Sequence, residues 1–154
     1  MSHHIVEAVD LHYVYPDGTV GLKGVSFRIS HGESVALVGE NGAGKSTLLL
    51  HLNGYLSSSR GALRIGDCSL AKENINSVRR CVGMVFQNPD DQLFMPTVFD
   101  DVAFGPLNLG LAKPDVERVV AGALETVGVA HLAKRPPYKL SQGEKRAVSI
   151  ATVL

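Results

Sequence analysis

The sequence predicts an α/β domain whose core sheet is mainly parallel, with an antiparallel β region at its N-terminal side and a helical region toward its C-terminal side. Three observations predict this. Two β-rich segments flank a turn near the N-terminus, an apolar run passes through a glycine-rich loop into a leucine-rich stretch, and residues 116–127 repeat apolar side chains at helical spacing.

Taken in order, Ile5 to Tyr15 is rich in β-branched and aromatic residues, Pro16-Asp17-Gly18-Thr19 is a turn signal, and Val25, Phe27 and Ile29 alternate with Ser26 and Arg28. Two antiparallel strands follow from this pattern. Ser34 to Val38 reads as a buried strand, and a helix is expected from near Gly44 through Leu48, Leu49, Leu50 and Leu52. Ser57-Ser58-Ser59-Arg60-Gly61 is a polar break, Ala62 to Ile65 a short strand, and Gly66-Asp67 a turn. Val82 to Phe86 has buried-strand length. A further helix is expected near Pro114, a favoured first-turn residue, carrying Val116, Val119, Val120, Ala123, Leu124 and Val127 until Gly128 ends it.

Composition narrows the function. The chain has 154 residues, 45% of them hydrophobic, with 15 basic and 15 acidic side chains. That balance provides no basic footprint for nucleic acid, so no nucleic-acid partner is expected. No apolar stretch reaches the roughly 20 residues needed to cross a bilayer, and Met1-Ser2-His3-His4 does not begin a secretory signal, so a soluble, cytoplasmic chain is expected. Cys68 and Cys81 lack CxxC spacing and read as reduced packing residues. His3 and His4, adjacent on an extended end, point to opposite faces and read as a solvated terminus rather than a metal site.

The chemistry starts at Gly39-Glu40-Asn41-Gly42-Ala43-Gly44-Lys45-Ser46-Thr47, which completes the pattern G-x-x-x-x-G-K-[ST] directly after the apolar run. A polyphosphate needs donors from many directions, and a Gly-rich loop supplies them by turning backbone N–H groups inward where no Cβ obstructs. Lys45 can reach the terminal phosphates, the Ser46 hydroxyl can sit on Mg²⁺, and the following helix contributes the positive end of its dipole. The second motif is Leu140-Ser141-Gln142-Gly143-Glu144. Read alone, Ser141 and Glu144 form a capping box opening a helix with Ala147, Val148, Ile150, Ala151 and Leu154 as its apolar face.

With the phosphate loop beside it, that segment resembles the signature motif of ATP-binding cassette (ABC) ATPases, members of the P-loop NTPase fold. The resemblance implies ATP and Mg²⁺ as cofactors. Ser141, Gln142, Gly143 and Glu144 would then face the γ-phosphate of ATP held by an opposite subunit. It further implies that Gln87 is the Q-loop glutamine, reaching Mg²⁺ and the attacking water, so that Lys45 and Gln87 carry the catalytic roles present here. Tyr15 matches the aromatic that stacks on adenine, with Tyr13 a competitor. Segments Val85 to Phe94 and Asp101 to Pro106 look like the ATPase subunits of cobalt and nickel importers and of energy-coupling-factor vitamin importers. Asn88 to Phe94 would lie near the groove that receives the transmembrane permease subunits. Pro89 would fix the turn, Asp90 and Asp91 form a polar rim, and Leu93, Phe94 and Met95 serve as apolar knobs. A purely local reading, a surface turn followed by core residues, stays open.

The implied organisation is one ABC ATPase domain over 1–154, with a core to about residue 87 and a Q-loop and signature region over 88–154. The Walker B pair, which would supply the general base, is expected beyond Leu154, and unpaired edges are expected at Ser34 to Val38 in consequence. The resemblance implies a motor subunit on the cytoplasmic face of the membrane, paired as a homodimer or with a related ATPase. A DNA-repair or regulatory ABC ATPase and a non-hydrolysing ATP-binding remnant are the rival readings.

Overall fold

β-branched and aromatic residues on either side of the Pro16–Thr19 turn form two long strands, β1 (His4–Val14) and β2 (Val20–Ser30). The structure is a computed structural model that describes residues 4–71 and 73–154. His3 lies outside the described residues, as does the side chain of His4, so the reading of that pair falls outside them too. The turn closes through Tyr15 N–H to Thr19 O at 2.8 Å and Gly18 N–H to Tyr15 O at 2.9 Å.

Two compact units divide the chain, residues 1–83 and 84–154. In the first, helix α1 (Lys45–Leu52) is followed by β3 (Arg60–Ile65), β4 (Cys68–Ser69) and helix α2 (Ile75–Cys81). The strands form one antiparallel sheet in the order β2-β1-β3-β4. Asp10, at φ 51°, marks an irregularity in β1 where its pairing with both neighbours shifts register. Ala8, Leu11, Leu22, Leu48, Leu63, Ile65 and Val78 make the core of this unit. Burying side chains of the Leu and Ile type contributes about 1.5–3 kcal/mol each.

Two runs of buried-strand character form no strand in the structure, and the exposure of the first accords with the unpaired edges expected of it. Neither Ser34–Val38 nor Val82–Phe86 carries a strand, and every strand pairing among the described residues is antiparallel. Val35 is 63% exposed, Leu37 46% and Val38 84%. Apolarity sets a demand for burial, whereas a strand also needs a neighbour for its backbone groups. The two expected antiparallel strands and the short strand before Gly66 are present. Cys81 is exposed, so only Cys68 acts as a packing residue; both thiols are free.

The second unit is helical: a 3-10 turn at Pro89–Asp91, then α3 (Val98–Asn108), α4 (Lys113–Thr126), two further 3-10 turns at Ala130–Leu132 and Pro137–Lys139, and α5 (Gln142–Ala151). Val116, Val120, Ala123 and Leu124 of α4 pack with Val98, Val102 and Ala103 of α3 and Val148 and Ala151 of α5. Thr97 caps α3, accepting Asp100 N–H at 3.2 Å. The face expected for α5 holds at Val148 and Ala151, while Ile150 is 44% and Leu154 64% exposed. No helix among the described residues is long and apolar enough to cross a membrane.

Candidate functional site

In the first unit residues 39–43 form an exposed loop that runs through half-buried Gly44 into α1, whose first turn holds Lys45, Ser46 and the buried Thr47. Gly42 (φ 82°) and Gly44 (φ 87°) adopt left-handed backbone that L side chains rarely reach. A Cβ on Gly44 would also lie 2.4 Å from the carbonyl oxygen of Gly21, so strand β2 and the loop touch backbone to backbone. No side chain caps the start of α1, which leaves its first-turn N–H groups to face an anion. Lys45 Nζ donates to the carbonyls of Gly39 at 2.9 Å and Glu40 at 2.7 Å, lying across the loop it serves. Uncapped helix start, glycine backbone and lysine together suit a magnesium-bound polyphosphate.

Tyr15 is tied to the same helix. Its hydroxyl and Thr47 Oγ1 are 2.9 Å apart. Tyr13 meets Tyr15 edge-on at 4.9 Å between centroids and His51 at 4.8 Å. His51, fully buried, donates from Nδ1 to the Thr47 carbonyl at 2.7 Å and has no hydrogen-bond partner at Nε2. A Cβ at Gly21 would strike Tyr15 Cε2 at 2.9 Å and Thr47 Cγ2 at 3.0 Å, so this packing depends on the missing side chain. Gly21 and His51 escape sequence reasoning: a glycine in a strand and a histidine in a helix carry no signal of what they touch.

In the second unit Gln87 and Gln142 line one cleft together with Phe86, Asn88, Pro89, Asp91 and Arg146. Ser141 opens α5 with the expected capping box. Glu144 N–H donates to Ser141 Oγ at 3.3 Å, and Ser141 N–H and Oγ–H donate to Glu144 Oε2 at 2.7 and 2.8 Å. The Ser141 hydroxyl and backbone bonds, aided by the positive charges of Arg135 and His131, hold the Glu144 carboxyl below its usual range. Gln142 and Gly143 form the exposed first turn of this helix.

Asn88 caps the turn after Gln87, its Oδ1 accepting Asp90 N–H at 3.3 Å. Leu93 is buried, Phe94 is 65% exposed, and the Phe94 and Phe104 rings meet edge-on at 5.1 Å. Asp101, missed as a functional residue, is buried and takes the N–H groups of Phe94 and Met95 on Oδ1, both at 3.0 Å. Burial pushes its carboxyl above the ordinary value despite those two bonds, and neighbouring Asp100 adds to the rise.

A glycine-rich loop of this pattern on an α/β unit, joined in one chain to a capped glycine-containing helix start, places the chain in the class of the P-loop NTPase fold. Residues 22–154 match the ABC transporter family, and the chain belongs to it. It is 71% identical over 154 residues to a Geobacter sulfurreducens protein provisionally named an ABC transporter ATP-binding protein, covering all of this chain and 62% of that one. It is 52% identical over 153 residues to the energy-coupling factor transporter ATP-binding protein EcfA of Methanocaldococcus jannaschii, covering 98% of this chain and 55% of the relative. The solved structure of CbiO1 from Clostridium perfringens, part of the ABC transporter complex CbiONQ, shares the fold. It superposes with a TM-score of 0.87 at 39% identity over 99% of this chain and 62% of that one. The chain thus spans about three fifths of the length of these relatives.

Proposed function

We propose that the chain supplies the ATP-binding and signature parts of the ATP-hydrolysing motor subunit of an ABC importer, with cobalt or nickel ions as cargo. The observation that carries this is the pairing, in one chain of this family, of the uncapped phosphate-loop helix α1 with the Ser141 capping box at the start of α5.

ATP would place its terminal phosphates against the N–H groups of residues 42–47, with Lys45 exchanging the Gly39 and Glu40 carbonyls for phosphate oxygens. Tyr15, anchored by Thr47, would stack on adenine, a role for which Tyr13 is less suited because its ring is engaged by Tyr15 and His51. Ser46 and Gln87 would hold Mg²⁺, which neutralises phosphate charge when bound. Ser141 and Gly143 would offer the N-terminus of α5 to ATP carried by a second ATPase subunit, a copy or a homologue. Asn88 to Phe94 would dock the permease, leaving the subunit peripheral on the cytoplasmic face of the membrane. Closure on ATP and reopening after hydrolysis would then drive transport.

The cargo rests on the resemblance of Asn88–Phe94 and Asp101–Pro106 to cobalt and nickel importer ATPases, and the likeness to CbiO1 supports it. The EcfA name of the 52%-identical relative favours a second reading, an energy-coupling-factor vitamin importer. Binding of a fluorescent ATP analogue and uptake of labelled cobalt, nickel and vitamins by cells carrying wild type or Lys45→Ala test both readings. Loss of binding and of metal uptake in the variant is expected. Undiminished uptake would sink the motor assignment, and loss of vitamin uptake alone would select the second reading.

A further inference from the structure

Gln92 is half-buried just after the 3-10 turn Pro89–Asp91, and its carboxamide is engaged on both sides. Oε1 accepts the N–H of Phe86, the residue before Gln87, at 3.0 Å. Nε2 donates to the Ser149 carbonyl at 2.9 Å and to Thr152 Oγ1 at 2.7 Å, at the C-terminal end of α5.

The orientation of the amide is fixed by its partners. Thr152 Oγ1 donates its own proton to the Ser149 carbonyl at 2.9 Å, so it can only accept from Gln92. A flipped amide would set NH₂ against the Phe86 N–H and oxygen against a carbonyl, two repulsions in place of three bonds. The turn itself does not need Gln92, because Asn88 already caps it. All three bonds of the side chain therefore go to other elements. A second tie points the same way: Lys145 Nζ, with only 12% of its side chain exposed, reaches Asp90 Oδ1 at 2.5 Å.

We propose that Gln92 is a positioning residue that makes the Gln87 backbone and helix α5 move as one body, so that a displacement at Gln87 is delivered to Ser141 at the far end of the helix. A ten-residue helix is a stiff rod of about 15 Å, suited to carry that displacement. The proposal rests on the roles given above to Gln87 and Ser141.

The test is amide hydrogen exchange on the full chain, with and without saturating Mg·ATP, in wild type, Gln92→Glu and Thr152→Val. Gln92→Glu keeps an acceptor for Phe86 N–H and removes the donors to α5. Thr152→Val removes one acceptor with little change of shape and serves if the first variant fails to fold. In wild type, ATP is expected to slow exchange in residues 39–47, in 86–88 and in α5. In either variant the responses of 39–47 and 86–88 should persist, while that of α5 shrinks, more in Gln92→Glu than in Thr152→Val, because the Lys145–Asp90 tie remains.

A purely structural Gln92 would raise exchange equally with and without ATP and leave the ATP-dependent difference in α5 intact; that result overturns the proposal. So does a wild type whose residues 86–88 respond while α5 does not. A wild type in which even 39–47 fail to respond overturns the ATP-binding reading itself, and this proposal with it.

Discussion

Replacing Asp101 by Ala should loosen the turn that presents Phe94. Asp101 lies in the first turn of α3, 4% exposed, with one oxygen holding two backbone N–H groups and the other, Oδ2, buried without a hydrogen-bond partner. Removing the carboxylate strands both donors. A stranded donor costs about 1–3 kcal/mol, and the lower end applies because Phe94 is exposed and water reaches the turn. The sum is about 2 kcal/mol, equivalent to roughly 30-fold faster exchange of the Phe94 and Met95 amides. Asp101→Asn keeps an acceptor at the same place and should stay within roughly threefold of wild type.

The pH dependence follows from the raised carboxyl. The folded protein holds this proton more tightly than the unfolded chain does, so Asp101's contribution to stability is greatest below the ordinary aspartate range. It declines as pH rises through the raised folded value. The Asn variant should lack that decline. Unchanged protection of the two amides in Asp101→Ala would refute the reasoning.

Gly44→Ala combines a left-handed backbone, costing an L residue about 1–2 kcal/mol, with a backbone collision at 2.4 Å, and should weaken binding of a fluorescent ATP analogue by more than about tenfold; wild-type affinity would count against the loop geometry. Tyr15→Phe removes only the bond to Thr47, about 1 kcal/mol, and should retain nucleotide binding that Tyr15→Ala loses; equal binding by both variants would remove Tyr15 from the base site. Ser141→Ala should cost about 1 kcal/mol at the start of α5, read as roughly fivefold faster exchange of the Glu144 amide. Because the Glu144 carboxyl is held low, its support of this cap is complete above the usual glutamate value and is lost as pH falls through the lowered folded value. A cap equally protected on both sides of that window would contradict the assignment.

What could be read from the sequence was local. The phosphate loop, the capping box at Ser141 and Glu144, the stripe on α4 and the N-terminal hairpin each depend on residues a few positions apart. Helix α3 was not read, although Thr97 and Asp100 carry a cap signal, because Pro106 interrupts the pattern and no long apolar period surrounds it. The apolar runs at 34–38 and 82–86 misled for a different reason. Their composition says that they seek burial, but strand formation is decided by partners the run does not contain. Gln92 reaches residues 57 and 60 positions away, and Asp101 owes its role to two backbone amides rather than to any motif. Such residues become legible only when the chain has folded.

The contact between Gly21 and Gly44 sets how an aromatic ring is gauged against a phosphate cradle. A side chain at either place would force the two apart at its Cβ, 2.4 Å from the Gly21 carbonyl oxygen if placed on Gly44 and 2.9 Å from Tyr15 Cε2 if placed on Gly21. Here the stop is main chain against main chain, while Tyr15 and Thr47 close over the space where a Cβ of Gly21 would be. The interval from ring to cradle therefore behaves as a fixed gauge length. On the nucleotide reading proposed above, that spacing would be matched to a molecule with an aromatic base at one end and phosphates at the other, and even one added methyl group would reset it.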